Sequence, residues 1–237
     1  MLAGGLQISQ NEIVEGFIEA IRLIVSLDPQ VVEITLRSLY VSLTATGVAS
    51  LVALPLGAMI YFHEFRGKRV VISTLQTLYA LPTVLVGLFI FLLLSRSGPF
   101  GFLDMLFTPG GMIVAQTTLI IPMLTGLTVG ALSGIEREMR YTIVSLGATT
   151  IQSILTILQE ARFAIFSAIL LGFGRAIAEV GTVMLVGGNI RGFTRVLTTA
   201  IALNTSTGNF TISIALGIIL LGVALIVNIG LNVVQQR

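Results

Sequence analysis

SLYVSLTATGVASLVALPLGAMIYF, residues 38–62, runs for 25 positions without a charged side chain. A hydrocarbon core of about 30 Å is crossed by roughly 20 apolar residues of helix, so this stretch is long enough to span a bilayer. Val70–Ser95 adds 26 uncharged residues and Met105–Ile135 adds 31. Of the 237 residues, 55% are hydrophobic and only 10% charged, with a mean hydropathy of +1.01. Soluble domains carry about a quarter charged residues, so the composition gives an all-α, polytopic membrane protein. The net charge of +2 comes from loop arginines and is too small to point to nucleic acid. There is no Cys and only one His, His63, so no metal site is expected. The opening MLAGGLQISQNEIVEG has neither the basic nor the apolar segment of a cleaved signal peptide.

Five core spans are expected, at about 36–62, 70–95, 111–134, 163–188 and 210–234. Pro55 and Pro82 fall inside the first two, where neighbouring helices can satisfy the freed backbone groups. Ahead of them, residues 11–28 put Glu12, Glu15, Glu19 and Arg22 on one helical face, with Ile13, Phe17, Ile21 and Ile24 opposite. Four charges on one face favour a helix lying in the interface; a sixth span results if it crosses instead. The organisation is therefore an N-terminal amphipathic segment, 1–30, and one transmembrane domain, 31–237. HEFRGKR (63–69) sets Arg66, Lys68 and Arg69 against Glu64, which places that loop in the cytoplasm of a multi-pass plasma-membrane protein. Counting from it, 135–162 is also cytoplasmic, the N-terminus lies outside and the C-terminus inside. On the outer side, Val196–Leu203 is apolar but only eight residues long, as a short re-entrant or surface helix would be.

The cytoplasmic insert 135–162 is patterned. Ile135, Met139, Ile143 and Leu146 form one helical stripe, with Glu136, Arg140 and Ser145 off it. Gly147 interrupts as a C′ glycine would, with φ above zero, and Ala148 follows. Ile151, Ile154, Leu155 and Leu158 then form a second stripe. The pattern is a helix–Gly–helix elbow, amphipathic on both arms. Pattern alone serves a loop folded on the inner leaflet as well as a key for a partner groove.

The elbow resembles the coupling loop of ATP-binding cassette (ABC) importer permeases: Glu-Ala-Ala, three residues, Gly, nine residues, Ile, one residue, Leu-Pro. Gly147 and Ile157 stand at the glycine and isoleucine with that separation. Tyr141-Thr142-Ile143 replace Glu-Ala-Ala, and Gln159-Glu160 replace Leu-Pro. GRAIAEVGTVMLVGGNIRGFTR (174–195) is similar to the oxyanion branch of the family, the molybdate and tungstate permeases, through Arg175, Ala176, Glu179, Gly181, Gly188, Asn189, Ile190, Thr194 and Arg195. TTAIALNTS (198–206) looks most like tungstate-type members. The resemblance runs from about residue 35 to the C-terminus. It implies a type I importer permease fold and a homodimer. Two cytoplasmic ATPases, and an extracytoplasmic binding protein delivering tungstate, with molybdate or sulfate as alternative cargo, complete the implied assembly. It also assigns Met139, Ile143, Ser145, Leu146, Gly147, Ala148 and Ile151 to ATPase coupling.

No G-x-x-x-x-G-K-[ST] occurs, so no P-loop for ATP is present; any ATP and Mg would sit on the partner ATPase, and no catalytic residue or cofactor is expected in this chain. Arg175 and Glu179, i and i+4 within a span, are either a self-neutralising pair or a pore-facing or interface pair together with Gly181. Asn189, Arg191, Thr194 and Arg195 in the outer loop are candidates for contact with substrate or with a binding protein, against solvated loop residues as the plain alternative. Two other classes stay in play: a secondary transporter, which calls for inverted repeats, and a channel, which calls for a filter motif.

Overall fold

The computed structural model describes residues 10–135, 139, 142, 143 and 145–235, and the regular structure among them is entirely helical. In chain order the helices are α1 (Gln10–Val25), α2 (Pro29–Phe62), α3 (Lys68–Tyr79), α4 (Thr83–Leu94), α5 (Pro109–Ser133), α6 (Thr150–Glu160), α7 (Arg162–Ile177), α8 (Gly181–Gly187), α9 (Leu197–Ser206) and α10 (Phe210–Gln235). Local chemistry starts the long ones. The Asp28 carboxylate accepts from the amides of Gln30 and Val31 at 3.0 and 3.1 Å, and Pro29 supplies a preset first turn. Thr108 and Pro109 open α5 in the same way.

Among the described residues three helices are long and apolar enough to cross a membrane: α2, α5 and Phe210–Val234 of α10. Two bent pairs, α3 with α4 and α6 with α7, bring the number to as many as five; the second covers 150–177 where 163–188 is expected. Residues 70–95 are divided between α3 and α4, which meet at 96°. Pro82 cannot continue the hydrogen-bond ladder and disfavours helix at Leu81, so the break falls at 80–82. The expected span 163–188 is likewise not one helix. α7 stops at Ile177 after 16 residues, or about 24 Å, and α8 resumes at Gly181. α6 and α7 are bent by 58° at Ala161.

Packing follows the rule for helices in lipid, where small residues rather than large ones make the seam. After Val31, Ile34 and Val41, the buried face of α2 is made of small residues, Ser42, Ala45, Thr46, Ala49, Ser50, Ala53 and Gly57, with Ser38 beside Val41, while Leu36, Tyr40, Leu43 and Leu51 point outward. Ser38, Thr46 and Ser50 donate to carbonyls one turn back, so their hydroxyls can be buried. α5 lies along this face so closely that a Cβ on Gly57 would come within 2.6 Å of Thr128 Cβ. Ala49, Ala53, Ile120, Leu124, Ala168 and Ala176 join α2, α5 and α7 in one core.

α1 packs on the protein through its small residues. Gly16 and Ala20 face α10, where a Cβ on Gly16 would lie 3.3 Å from Ile214 Cδ1. Phe17 and Ile21 remain exposed, because close approach selects small side chains and leaves bulky ones to the solvent. At 16 residues α1 is not among the helices long and apolar enough to span. The side chains of Glu12, Ile13 and Glu15 lie outside the described residues, as do Glu136, Arg137, Arg140 and Tyr141.

Candidate functional site

The elbow reverses at Gly147. Met139, Thr142, Ile143 and Ser145 are helical, and Leu146 donates its amide to Thr142 O at 3.0 Å. Gly147 has φ +77°, and the Ala148 amide reaches back to Ile143 O at 3.3 Å, the six-to-one bond of a Schellman ending. α6 then starts at once with a capping box: Gln152 N–H donates to Thr149 Oγ1 at 3.3 Å and Thr149 N–H donates to Gln152 Oε1 at 2.8 Å.

This reversal sorts the residues assigned to coupling into two groups. Met139, Ile143 and Ala148 turn inward, packed with Leu132, Ile157 and Ala161 against Ala58, Tyr61 and Phe62 at the end of α2. Ser145, Leu146, Gly147 and Ile151 face out, and Leu146 and Ile151 are 80% and 71% exposed. The expected stripes are rotated accordingly. Leu146 leaves the first stripe because the chain turns there, and on α6 the buried residue is Ile157, while Ile151 and Leu155 stand free. The result is an apolar knob carried on a packed stem.

At a second interruption, Ala178–Val180, Glu179 turns inside the protein while Ala178 and Val180 stay exposed. Glu179 is 2% exposed and pairs with Arg175 at 3.0 Å; Arg175 itself keeps 38% of its side chain exposed. The spacing is that of a helical pair, but Glu179 sits past the end of α7 and caps α8, accepting from the Thr182 amide at 3.0 Å. Glu179 O accepts from Thr198 Oγ1 at 2.7 Å, Thr182 Oγ1 donates to Thr83 O at 2.8 Å, and Gln116 Nε2 donates to Ala176 O at 3.0 Å. One break thus ties α4, α5, α7, α8 and α9 together. Gly181 and Gly87 make it tight: a Cβ on Gly181 would meet Val84 Cγ2 at 2.6 Å, and one on Gly87 would meet Thr182 Cα at 2.8 Å. Arg175 is charge-compensated, so its geometry is that of a structural ion pair rather than a bare anion site.

The loop 188–196 is held from within. Thr194, 1% exposed, donates to Gly187 O at 2.6 Å and accepts from the Ile190 amide at 2.9 Å. Arg195 donates to Asn189 Oδ1 and O, both at 3.3 Å. Burial and then the charge of nearby Arg191 push the Arg195 guanidinium below its ordinary pKa, although arginine stays charged at neutral pH. Arg191 is exposed, with one long contact to Gln30 at 3.4 Å. Of the four loop candidates, Thr194 and Arg195 are therefore occupied within the loop, Asn189 accepts from Arg195 and donates to Thr199 O on α9 at 3.3 Å, and Arg191 is the one facing out.

Arg37 was not singled out from the sequence, yet it clamps this loop to α2, donating to Gly192 O at 2.9 Å and Arg195 O at 3.3 Å while paired with Glu33. Its signal was the Glu33–Arg37 i, i+4 pair at the mouth of a charge-free run. Thr198 and Gln116 were missed as well. A lone amide in a 31-residue uncharged run was the available clue for Gln116.

The family model for the inner membrane component of binding-protein-dependent transport systems matches residues 53–237. A tungstate uptake system permease protein of Peptoclostridium acidaminophilum is 42% identical over 95% of this chain and 99% of its own length. A probable anion ABC transporter permease protein of Haloferax volcanii is 43% identical over 83% of this chain and 87% of its own. The tungstate uptake system permease protein of Campylobacter jejuni is 36% identical over 91% and 90%.

Proposed function

Because the chain belongs to the family of inner membrane components of binding-protein-dependent transport systems, we propose that it is the permease of an ABC importer whose cargo is tungstate. Its role is transport. ATP is hydrolysed, with Mg, on cytoplasmic partner subunits, and an extracytoplasmic binding protein delivers the oxyanion. Two copies of the chain enclose the path, with one ATPase beneath each. The N-terminus is outside, and the loops 63–69 and 135–162 and the C-terminus are cytoplasmic.

The observation that carries the coupling half of this reading is the elbow's apolar knob. Leu146, Ile151 and Leu155 would expose an apolar surface to water, and a protein groove is the occupant that also explains the rigid Schellman reversal and the packed stem. Closure of the ATPases would move the two stems, and each stem rests directly on the end of α2 and the start of α7. The cargo half rests on two tungstate-named relatives at 42% and 36% identity over nearly the whole chain.

The test is uptake by proteoliposomes holding the permease, its ATPase and the binding protein. Tungstate should accumulate only with ATP, and excess sulfate should compete poorly. Uptake of sulfate in preference to tungstate would replace the cargo, and uptake without ATP would replace the mechanism by a secondary transporter.

A further inference from the structure

A cavity of about 960 Å³ opens between α3, α5, α7 and the inner side of the elbow. Much of its wall is backbone-thin, formed by Gly126, Gly130, Ala164 and Ala168. Three neutral polar side chains share it: Gln76 and Tyr79, one turn apart on α3, and Ser167 on α7. Among the described residues none of the three has a hydrogen-bond partner. Gln76 and Tyr79 are exposed, so for them this is ordinary; Ser167 is buried and differs from Thr125, Thr128 and Ser133 on α5, which all donate to the carbonyl one turn back.

Ser167 is the decisive group. It is 7% exposed, and its Oγ is left without a partner. A buried hydroxyl in that state has lost its water bonds and gained nothing, which native interiors rarely tolerate without a ligand or water to complete it. Tyr79 adds a second built feature. Its hydroxyl lies over Gly126, where a Cβ would come within 1.3 Å of it, so the glycine makes the seat of the phenol. Lipid tails could not satisfy these donors.

We propose that this cavity is a station on the path of the transported tetrahedral oxyanion, where the hydroxyls of Ser167 and Tyr79 and the carboxamide of Gln76 donate to its oxygens. The inference rests on the transport reading above. Neutral donors suit a passing ion, because conduction requires a site favourable enough to enter and weak enough to leave, whereas charge-assisted bonds from a cation would hold it roughly twice as strongly. Arg175 is paired with Glu179 and is not part of the wall. Glu160 is part of it, at the elbow end, and its charge has the sign of the cargo, so it opposes retention there.

The chain has no cysteine, so Ala164→Cys, an exposed position on the wall, gives a single thiol. The complete transporter in lipid nanodiscs, without nucleotide, is treated with a charged, water-soluble thiol reagent in sodium tungstate or in sodium chloride of equal ionic strength. The thiol should react in chloride, and tungstate should slow it by about threefold or more. Ser167→Ala and Tyr79→Phe should each raise the tungstate concentration for half-protection by about threefold or more, and Ser167→Thr should restore the parental value. Leu221→Cys, on the outward face of α10, should stay unmodified. No reaction at Ala164→Cys would mean that lipid or the second copy fills the cavity and would overturn the proposal. So would reaction that tungstate does not slow, or half-protection unmoved by both substitutions. Tungstate uptake by the same purified transporter in sealed proteoliposomes separates the two readings: absent uptake defeats the transport assignment, and uptake without protection defeats this site alone.

Discussion

The helical chain is interrupted at Gly147 and again at 178–180, and the two interruptions are finished in opposite ways. Around Glu179 the chain closes the break itself. Side chains from α5 and α9 reach the freed backbone, the Thr182 hydroxyl ties α8 to the α4 carbonyl of Thr83, a carboxylate caps the next helix, and a Cβ on either nearby glycine would meet atoms within 2.8 Å. At Gly147 the backbone is equally well ordered by a Schellman ending and a capping box, but the surface is left open. A Cβ there would meet nothing within 4 Å, and Leu146 and Ile151 stand in the open. A break completed internally holds elements in register, and substitutions there should act on the chain's own stability. A break with an incomplete surface should show its effects only when a partner is present.

The largest effect on the isolated chain should come from Glu179→Gln. The ion pair is lost and Arg175 is stranded, a loss of about 2–3 kcal/mol once the partial exposure of Arg175 is allowed for. A lower thermal midpoint in detergent, with or without ATPase, checks it, and an unchanged midpoint would break the contrast. Gly87→Ala should follow, at about 1–3 kcal/mol, because the new methyl meets the backbone of Thr182, which cannot rotate away. Its thermal midpoint and its yield of inserted protein give the measure. Arg191→Gln should be the smallest, under about 0.5 kcal/mol, since its one contact is long and exposed. Tungstate uptake at parental membrane abundance should be impaired by Glu179→Gln more than by Arg191→Gln, and equal uptake by the two would show that the interior break is not the more constrained region.

How much of this could be read beforehand divides along the same line. Charge-free runs located α2, the α3–α4 pair and α5, because desolvation of a charge is a dominant cost at membrane depth. The turn at Gly147 was legible for a local reason: periodicity stops there, and glycine is the residue that accepts φ +77° without strain. What escaped was set by tertiary contact. The break after Ile177 is stabilised by Thr83, Gln116 and Thr198 from elsewhere in the chain, and no window around 178 contains them. The rotation of the α6 face was hidden because Ile151, Ile154, Leu155, Ile157 and Leu158 are all apolar, so only the stem decides that Ile157 goes in. On α1, the hydrophobic wheel showed the apolar face of Phe17 and Ile21, which stays exposed, but gave no sign that Gly16 and Ala20 pack against α10.

The central claim, that the elbow's open surface is where the ATPase engages, is tested most directly with Gly147→Leu. The side chain has room in the chain alone, so the direct effect is the left-handed backbone, about 1 kcal/mol. The measurement is co-purification of the ATPase with the variant permease, and ATP hydrolysis in proteoliposomes with binding protein and tungstate. The account predicts a permease inserted at near-parental abundance that retains little ATPase and shows no substrate-stimulated hydrolysis. A Gly147→Leu permease that co-purifies its ATPase and hydrolyses ATP like the parent would contradict it.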